Sequence, residues 1–490
     1  MSSPPSRPAL VWFRDDLRLS DQPALSAAIA SGAPVLCIYV LDEESPGLRP
    51  LGGASRWWLH HSLAALATSL ARIGSRLDIL RGPAAPLLMD VAKTAQVEAV
   101  FWTRRYGAAE IAVDRAAKAE LSGAEIGVRS FNGQLLHEPW EIQTKGGDYY
   151  RVYSPFWRTA CARPEPASPL PAPSRLAAAE WPADAPARIT LEALQLLPTT
   201  PDWAGGLNAL WRPGEAGAQE RLSAFLETRA HRYASMRDRP DEPSTSNLSP
   251  HLRFGEISPR QIFQATRHAE QALGVPSRDA EKFLAEIGWR EFAYHLLYHV
   301  PHLQSRNFQP KFDAFPWRTP EASELRAWQQ GRTGYPIVDA GMRELWKTGT
   351  MHNRVRMITA SFLVKDLLAD WRLGEDWFWD TLCDADPANN PASWQWVAGS
   401  GADAAPYFRI FNPVLQGKKF DPHGTYVRKY VSELEKLPDT WIHEPWAAPD
   451  EALRRAGIVL GKNYPHPMVD HGRARDRALA ALATTKTDMA

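Results

Sequence analysis

"ALVWFRDDLRLSD", residues 9–21, decides the fold class of the first part of this chain. Its opening run is apolar without the alternation of a half-exposed strand, so it predicts a strand that is buried on both faces. Strands of that kind belong to parallel sheets covered by helices. The polar turn that follows contains no GxGxxG pattern, so it does not predict the usual dinucleotide-binding loop.

From this strand to about residue 131, short apolar runs alternate with helix-like stretches. The predicted strands are 9–14, 34–41, 76–82, 97–104 and 126–131, and the predicted helices lie around 22–31, 54–73, 84–95 and 108–122. This alternation predicts an α/β domain with a parallel, Rossmann-like sheet. Asp15, Asp42 and Arg105 follow predicted strands, either as ligand-binding residues beyond the sheet edge or as turn and cap residues.

The rest of the chain has a different composition. Residues 163–215 are rich in proline, which predicts a long, semi-rigid connector rather than helices or central strands. After residue 216 apolar residues recur at three- and four-residue spacing, which predicts an all-α domain. The predicted organisation is an α/β domain over 1–140, a connector over 141–215 and a helical domain over 216–480.

Composition limits the function classes. The chain has 490 residues with 56 basic and 56 acidic side chains, so its net charge does not favour nucleic acid or a membrane, and any such site must be a local patch. Its three cysteines never form a CxxC pair, which argues against a zinc module or a disulfide framework and suits a reducing cytosol. The longest apolar run is too short to span a bilayer. We therefore expect a cytoplasmic protein without a metal site.

A second stretch, "DADPANNPASWQW" at 384–396, is unusually polar and aromatic. If residues 391–398 are helical, Trp394 and Trp396 lie about 200° apart around the helix axis, because each residue turns the helix by about 100°. The two indoles are then predicted to face different neighbours. The plainer interpretation is one core tryptophan and one surface tryptophan.

Two helical stretches place chemically active residues on one face. Glu286, Trp289 and Arg290 share a face, either as a functional set or as an exposed Glu286–Arg290 ion pair beside a packed indole. Asn353, Arg356 and Met357 share another, and buried polar groups there need partners inside the protein. Those partners belong either to a ligand site or to a buried polar network without a ligand.

Together and in this order, these segments resemble the photolyase/cryptochrome family across nearly the whole chain. The matching stretches are "LVWFRDDLRLSDQPAL", "TSNLSP", "WREF", "GRTGYPIVDAGMREL", "MHNRVRMITASFLVKDLL", the stretch 384–396 and "ADAAPYFRIFNPVLQGKKFDPHGTYVRKYV". The resemblance implies an N-terminal α/β antenna domain and a C-terminal helical domain that binds FAD. Both agree with the organisation predicted above.

Matched position by position, the resemblance implies a set of flavin-binding residues: Tyr233, Thr245, Ser246, Asn247, Leu248, Ser249, Arg290, Asn353, Arg356, Asp384, Ala385, Asp386 and Asn390. In this set Arg356 is paired with Asp384, and Asn390 lies beside flavin N5. It also implies that Trp394, Trp371 and Trp317 relay electrons from the surface to the flavin.

The resemblance further implies that the chain binds UV-damaged DNA as a monomer. The residues implied to contact DNA are Glu286, Trp289, Arg290, Asn353, Arg354, Met357, Trp396, Arg409 and Gln416, with Lys418 and Lys419 as further backbone contacts. The catalytic residues are Glu286, Asn353, Met357 and Asn390. The positions that discriminate between branches resemble bacterial photolyases that repair cyclobutane pyrimidine dimers, and the alternatives are a cryptochrome photoreceptor or a (6-4) photolyase.

A light-harvesting antenna is also implied by the resemblance. Family members use 5,10-methenyltetrahydrofolate or an 8-hydroxy-deazaflavin. The best-known folate binders carry an acidic residue where this chain has Gly107. The segments "WTRRYG" and "RSFNG", however, resemble those of bacterial photolyases that favour folate at another site. Folate is therefore the expected antenna.

Overall fold

A computed structural model describes residues 7–404 and 408–487, and residues 405–407, which belong to one of the matching stretches above, lie outside them. The chain forms two compact units. Unit 1 consists of the described residues up to Ala204 together with Trp211–His231 and Ser246–Pro301, and unit 2 consists of Gly205–Leu210, Arg232–Thr245 and the described residues from His302 onward. The domain boundaries at 140 and 215 stay a prediction.

Unit 1 contains the predicted parallel sheet. Its strands are β1 (Ala9–Phe13), β2 (Val35–Leu41), β3 (Leu77–Arg81), β4 (Ala99–Thr103) and β5 (Gly127–Phe131). All neighbours are parallel, in the order β3-β2-β1-β4-β5. Every residue of β1 and β2 is buried, as the unbroken apolar runs predict. The predicted fold class is confirmed.

Helices follow the strands and then fill the rest of the chain. Up to residue 299 they are α1 (Pro23–Ala30), α2 (Gly53–Arg72), α3 (Ala84–Thr94), α4 (Ala108–Gly123), α5 (Tyr153–Cys161), α6 (Gly205–Leu210), α7 (Glu215–Thr228), α8 (Tyr233–Met236), α9 (Ser249–Arg253), α10 (Pro259–Ala272) and α11 (Ser277–His299). Beyond it they are α12 (Ala322–Gln329), α13 (Pro336–Thr348), α14 (Asn353–Ser361), α15 (Trp371–Thr381), α16 (Asn389–Ala398), α17 (Pro413–Phe420), α18 (Thr425–Tyr430), α19 (Asp450–Ala456) and α20 (His471–Thr487).

The turn after β1 is occupied by side chains of the protein itself. Asp16 accepts hydrogen bonds from the backbone N–H of Arg14 and from Nε2 of Gln22, both at 2.7 Å. The buried guanidinium of Arg18 donates to the carbonyl oxygens of Asp21 and Gly133 at 2.7 and 2.8 Å. A turn filled in this way leaves little backbone for a phosphate, which agrees with the missing glycine pattern.

Two of the polar residues that follow strands have partners within unit 1. Asp42 accepts from the backbone N–H groups of Ser45 and Ala84 at 2.9 and 3.0 Å, so the turn-and-cap interpretation holds for it. Asp15 is paired with Arg253 at 2.8 Å.

The proline-rich segment is tied to the sheet rather than running separately from it. Isolated β-bridges join Val35 to Ala178 and Ile79 to Ile189, on β2 and β3. The segment therefore satisfies backbone groups at that side of the sheet, a role that its composition does not reveal.

Unit 2 is helical around one large apolar cluster. Trp328, Trp371 and Trp394 lie inside it and are at most 2% exposed. A π-helical turn, Phe362–Asp366, follows α14. Among the residues that the structure describes, no helix has the length and apolar character needed to cross a membrane, and no group of three His, Cys, Asp or Glu side chains could hold a metal ion.

One buried carboxyl of α11 gives unit 1 an unusual pH dependence. Glu291 accepts from the backbone N–H groups of Leu136 and His137 at 2.9 and 3.2 Å, while its Oε1 is buried without a hydrogen-bond partner among the described residues. Burial raises the pKa of Glu291 from 4.5 to about 7. Between these values the folded state keeps a proton that the unfolded chain releases, so stability falls as pH rises through this window.

Replacing this carboxyl tests the pH dependence. We expect Glu291→Gln to weaken the decline in stability and to raise the free energy of unfolding by about 1–3 kcal/mol at about pH 8, because the amide carries no charge to desolvate. Urea unfolding at about pH 5 and about pH 8 measures this. Glu281→Gln, at an exposed position of the same helix, is the control. Identical pH profiles for Glu291→Gln and the unmodified protein would contradict the prediction.

Candidate functional site

A two-bond ion pair begins the polar and aromatic segment of unit 2. Arg356, on α14, donates from Nη1 to Oδ1 of Asp384 at 3.1 Å and from Nη2 to Oδ2 at 2.9 Å. Its Nε donates to the carbonyl of Met351 at 2.8 Å. Two parallel bonds fix both planar groups, so the pair presents hydrogen-bonding edges in a set orientation.

The next carboxylate holds the start of α16. Asp386 accepts from the backbone N–H groups of Ala388 and Asn389 at 2.8 and 2.6 Å, and from Nδ2 of Asn389 at 2.7 Å. These bonds satisfy N–H groups that a helix start leaves without partners. Asn389, to which the sequence assigned no role, is therefore part of the cap. Ala385, between the two carboxylates, is 2% exposed.

Asn390 is fixed by an acidic residue that sequence reasoning missed. Its Nδ2 donates to the carbonyl oxygen and to Oε1 of Glu375, on α15, at 3.1 and 2.8 Å. An amide that gives both hydrogens to one neighbour turns its oxygen to the other side, where it can accept a hydrogen bond. The signal in the sequence was an acid inside the tryptophan-rich "WRLGEDWFW".

The two indoles of α16 face different neighbours, as predicted. Trp394 is 2% exposed and meets the rings of Phe378 and Trp328 edge-on, at centroid distances of 4.9 and 6.3 Å. Trp396 is half-buried and donates from Nε1 to the carbonyl of Asp403 at 3.2 Å. The two environments differ as a rotation of about 200° requires.

The other two tryptophans of the predicted relay belong to the same region of unit 2. Trp371 is fully buried, and its Nε1 donates to Oδ1 of Asn307 at 2.9 Å. Trp317 packs against the apolar cluster beside Phe315, with ring centroids 4.3 Å apart. The Trp317 indole N–H is buried and has no hydrogen-bond partner in the described part of the chain. The structure thus brings the three predicted relay residues to one apolar cluster.

A shallow depression surrounds Trp396. It is lined by Trp396, Val397, Ala404, Arg409 and Phe411, which we call the Trp396 surface. The guanidinium of Arg409 lies over the Trp396 ring, 5.2 Å from its centroid. An accessible aromatic ring with a cation beside it is suited to a flat aromatic ligand and to a nearby anion.

The predicted backbone contacts after Arg409 lie on α17. Gln416 has a buried Oε1 with no hydrogen-bond partner among the residues described. Lys418 forms an ion pair with Glu444, and the Lys419 ammonium lies 5.1 Å from the centroid of the Phe420 ring. The structure therefore leaves Lys419 better placed than Lys418 to meet an anion.

Helix α14 carries four candidate residues, of which Asn353 is exposed and the other three are half-buried: Arg354, Arg356 and Met357. The alternative of a buried polar network is therefore wrong for Asn353. Arg354 is paired with Asp238 at 3.0 Å. His352 accepts from the backbone N–H of Arg354 at 3.2 Å, and burial lowers its pKa to about 4, which keeps this acceptor neutral.

The predicted flavin-binding residues from Tyr233 to Ser249 belong to two units: those up to Thr245 to unit 2 and those from Ser246 to unit 1. In unit 2, Tyr233 is 5% exposed, and burial raises its pKa. Thr245 ends this stretch of unit 2. In unit 1, Asn247 has a φ of 53°, a left-handed conformation that asparagine tolerates, Leu248 is buried, and Ser249 begins the short helix α9.

Helix α11 of unit 1 corrects one alternative. Glu286 forms an ion pair with Lys282, with 3.5 Å between Oε1 and Nζ, instead of one with Arg290. The interpretation as an exposed Glu286–Arg290 pair is therefore wrong. Arg290 is 8% exposed and donates to the carbonyl of Gln134 at 2.6 Å. This bond uses one N–H of a guanidinium that has five, so the DNA and flavin contacts of Arg290 stay predictions.

Trp289 is the exposed aromatic residue of the same helix. It is 37% exposed, and its ring stacks on Tyr153 at a centroid distance of 3.6 Å and an angle of 10°. Because Tyr153 supports one face, the indole is held in a single orientation and still offers surface to a ligand.

Family models match two parts of the chain. Residues 9–174 match the model described as DNA photolyase. Residues 283–484 match the model described as the FAD binding domain of DNA photolyase.

Individual relatives cover almost the full length. The chain is 54% identical to a deoxyribodipyrimidine photo-lyase of Agrobacterium fabrum over 98% of both proteins. It is 39% identical to Cryptochrome-1 of Arabidopsis thaliana, over 97% of this chain and 70% of that protein. Among solved structures, a bacterial class III photolyase from Agrobacterium tumefaciens superimposes with a TM-score of 0.95 at 53% identity and covers 99% of both chains.

The packing of Trp394 leads to a prediction about Gly374, on α15. A Cβ at this position would meet the Trp394 ring at 2.1 and 2.4 Å, so Gly374→Ala forces the indole or the helix to move. We expect this overpacking to lower the free energy of unfolding by about 1–3 kcal/mol, measured by urea denaturation.

Gly205→Ala is the matched control, because a Cβ at Gly205 meets no atom within 4 Å in the same unit. Equal stability of the two variants would show that α15 and α16 are not packed as described.

Proposed function

Because the chain belongs to the photolyase/cryptochrome family, we propose that it is a deoxyribodipyrimidine photo-lyase, an enzyme that uses light to split cyclobutane pyrimidine dimers in DNA. The observation that carries this proposal is the near full-length likeness to the Agrobacterium photo-lyase. The positions that the resemblance assigns to dimer repair are occupied accordingly: Glu286, Trp289, Asn353, Arg354, Met357 and Trp396.

The cofactor is FAD, in keeping with the matched FAD binding domain. When bound in its reduced form, FAD supplies the light-driven electron that opens the cyclobutane ring and takes that electron back afterwards. The polar groups of unit 2 fit a flavin edge, which carries both donors and acceptors: the Arg356–Asp384 pair offers both, and the Asn390 oxygen is turned away from Glu375. We assign the holding of FAD to these residues, with Tyr233, Thr245, Asp386 and Ala385 beside them in unit 2.

Asn390 keeps a neutral acceptor at the place proposed for flavin N5. An aspartate there would bring a second negative charge close to a reduced ring. Glu375 holds the amide in one orientation through two hydrogen bonds, so the oxygen need not be ordered when the cofactor binds. Glu375 is therefore a positioning residue in this proposal. The unit 1 predictions Ser246, Asn247, Leu248, Ser249 and Arg290 remain predictions.

The Trp396 surface is proposed to receive the dimer after it leaves the duplex. Extruding a base costs a few kcal/mol, and less for a damaged one that pairs poorly. Stacking on an aromatic ring contributes roughly 1–3 kcal/mol per base, which is enough to decide the balance. Arg409 beside the ring adds a cation for the backbone, so affinity should fall with salt although the chain has no net charge.

Two residues of α11, in unit 1, are proposed as lesion contacts in their own right. Trp289 offers an aromatic surface that Tyr153 supports from behind. Glu286 would donate a hydrogen bond to a dimer carbonyl, which requires its protonated form. Its half-exposed i,i+4 pair with Lys282 is worth only about 0.3–0.5 kcal/mol, so binding can open it.

We also propose that the protein carries a 5,10-methenyltetrahydrofolate antenna, with 8-hydroxy-deazaflavin as the alternative, and acts as a monomer in the cytosol. One observation bears on the antenna. Glu110 fills the space above Gly107, with its Oε2 2.1 Å from where a Cβ would lie, and that buried oxygen has no hydrogen-bond partner among the described residues. The chain thus supplies an acid close to the position where the best-known folate binders have one.

A cryptochrome photoreceptor is the second candidate function, favoured by the likeness to Arabidopsis Cryptochrome-1. Plant-like cryptochromes resemble this chain less at two positions, since they usually carry an aspartate at Asn390 and a tyrosine at Trp396. Both positions support repair.

The first experiment measures repair directly. Purified protein, reduced chemically, is illuminated with an oligonucleotide that contains one thymine dimer, and recovery of the two thymines is followed. We expect full repair in the light and none in the dark. Trp396→Ala should lower affinity for the lesion by about tenfold or more, because one base loses its stacking partner. Trp446→Ala, a partly buried tryptophan of the same unit, is the control.

Dark activity equal to that in the light, or no repair beside a working photolyase, would contradict the proposed function. A light-dependent pull-down of a partner protein without repair would favour the photoreceptor.

The second experiment tests the relay. We expect Trp394→Phe to slow light-driven reduction of the oxidised cofactor by at least tenfold, because phenylalanine is much harder to oxidise than tryptophan, while repair by chemically reduced protein stays nearly unchanged. Bleaching of the flavin absorbance measures the first quantity and the dimer assay the second. Equal losses of both would show that Trp394 acts only through packing.

A further inference from the structure

One carboxylate in unit 2 lies between two guanidinium groups. Asp238 Oδ2 lies 3.0 Å from Nη2 of Arg354, and its Oδ1 lies 3.8 Å from Nε of Arg237. The Asp238 side chain is 39% exposed, against 19% for Arg354 and 13% for Arg237. The group therefore lies at the surface, and one negative charge offsets two positive ones.

Arg354 is also held from a second side. Its guanidinium lies over the Phe420 ring, 4.5 Å from the centroid, while its Nε is buried without a hydrogen-bond partner among the described residues. A planar guanidinium that is stacked on a ring and paired at one end has a single orientation. It therefore meets a phosphate from one direction only.

We propose that Asp238 determines specificity in DNA binding: it fixes Arg354 in one orientation toward the backbone beside the extruded dimer and lowers its attraction for ordinary duplex. The inference rests on the proposed function, since it takes Arg354 as a DNA contact. Asp238 does not touch the lesion and acts through Arg354, so it is a positioning residue.

The sign of the effect follows from the size of the two contributions. The free energy of binding to undamaged DNA comes almost entirely from phosphate contacts. A half-exposed ion pair contributes about 0–1 kcal/mol, so Asp238 cannot prevent Arg354 from binding a phosphate. Its charge and its hold on the side chain nevertheless reduce the free energy that Arg354 gains from that contact. Without Asp238, Arg354 carries its full charge and can turn toward any backbone, which helps ordinary duplex more than the lesion.

The test measures binding in the dark with the FAD-loaded protein. Fluorescence anisotropy gives the Kd for a duplex with one thymine dimer and for the same duplex without it, over a series of salt concentrations. For Asp238→Asn we expect the affinity for undamaged duplex to rise about twofold to fivefold, and its salt dependence to steepen by up to about 0.9 in the logarithmic slope, the value of one phosphate contact. The ratio of the two affinities should fall.

Three further variants isolate the cause. Glu451→Gln removes the same charge from an exposed pair on α19 of the same unit and should leave the ratio unchanged. Asp238→Glu keeps the charge and should restore part of the discrimination. In an Arg354→Gln background, Asp238→Asn should have no further effect on the ratio, because the residue through which it acts is gone.

A ratio that stays constant in Asp238→Asn, or a fall of equal size in the Arg354→Gln background, would overturn the inference. If Asp238→Asn does not fold, Asp238→Ser is measured under the same expectations. An unmodified protein without lesion preference would contradict the proposed function, and the affinity for undamaged duplex would still decide whether Asp238 restrains Arg354.

Discussion

The cap formed by Asp386 and Asn389 is the constraint on which the candidate site in unit 2 depends. It satisfies the N–H groups of Ala388, just before α16, and of Asn389, its first residue, and thereby fixes where the helix begins. Every side chain of α16 inherits its direction from that start. Asn390 meets Glu375, Trp394 enters the apolar cluster and Trp396 reaches the surface because the helix begins at Asn389.

Electrostatics in this region is arranged by pairing rather than by an excess of charge. Arg356 is neutralised by Asp384, Arg354 by Asp238 and Lys418 by Glu444. A chain with no net charge can therefore have a DNA-binding surface whose cations differ in how strongly they are offset. Arg409 lies over the Trp396 ring, as Arg354 lies over the Phe420 ring.

Much of the fold could be predicted from the sequence, since burial on both faces leaves an unbroken apolar run. All five strands lie within a residue or two of their predicted bounds. The separation of Trp394 and Trp396 was predictable for a similar reason, because helical rotation depends on spacing alone. The roles of Glu375 and Asn389 and the burial of Arg290 could not be predicted. Arg290 depends on Gln134, far away in the chain, and Glu375 on Asn390 of the next helix, whereas the partner of Asn389 is the nearby Asp386, whose capping role depends on where the helix begins.

Because Trp394 and Trp396 share one short helix, the interior and the surface of unit 2 cannot be altered separately there. Inserting or deleting a single residue between Asn390 and Trp394 would turn both indoles by about 100° and leave neither in its present environment. Length changes in this helix should therefore be far less tolerated than substitutions. Changes to the binding properties of the Trp396 surface are better made by substitutions at Arg409 and Phe411, which leave the helix register intact.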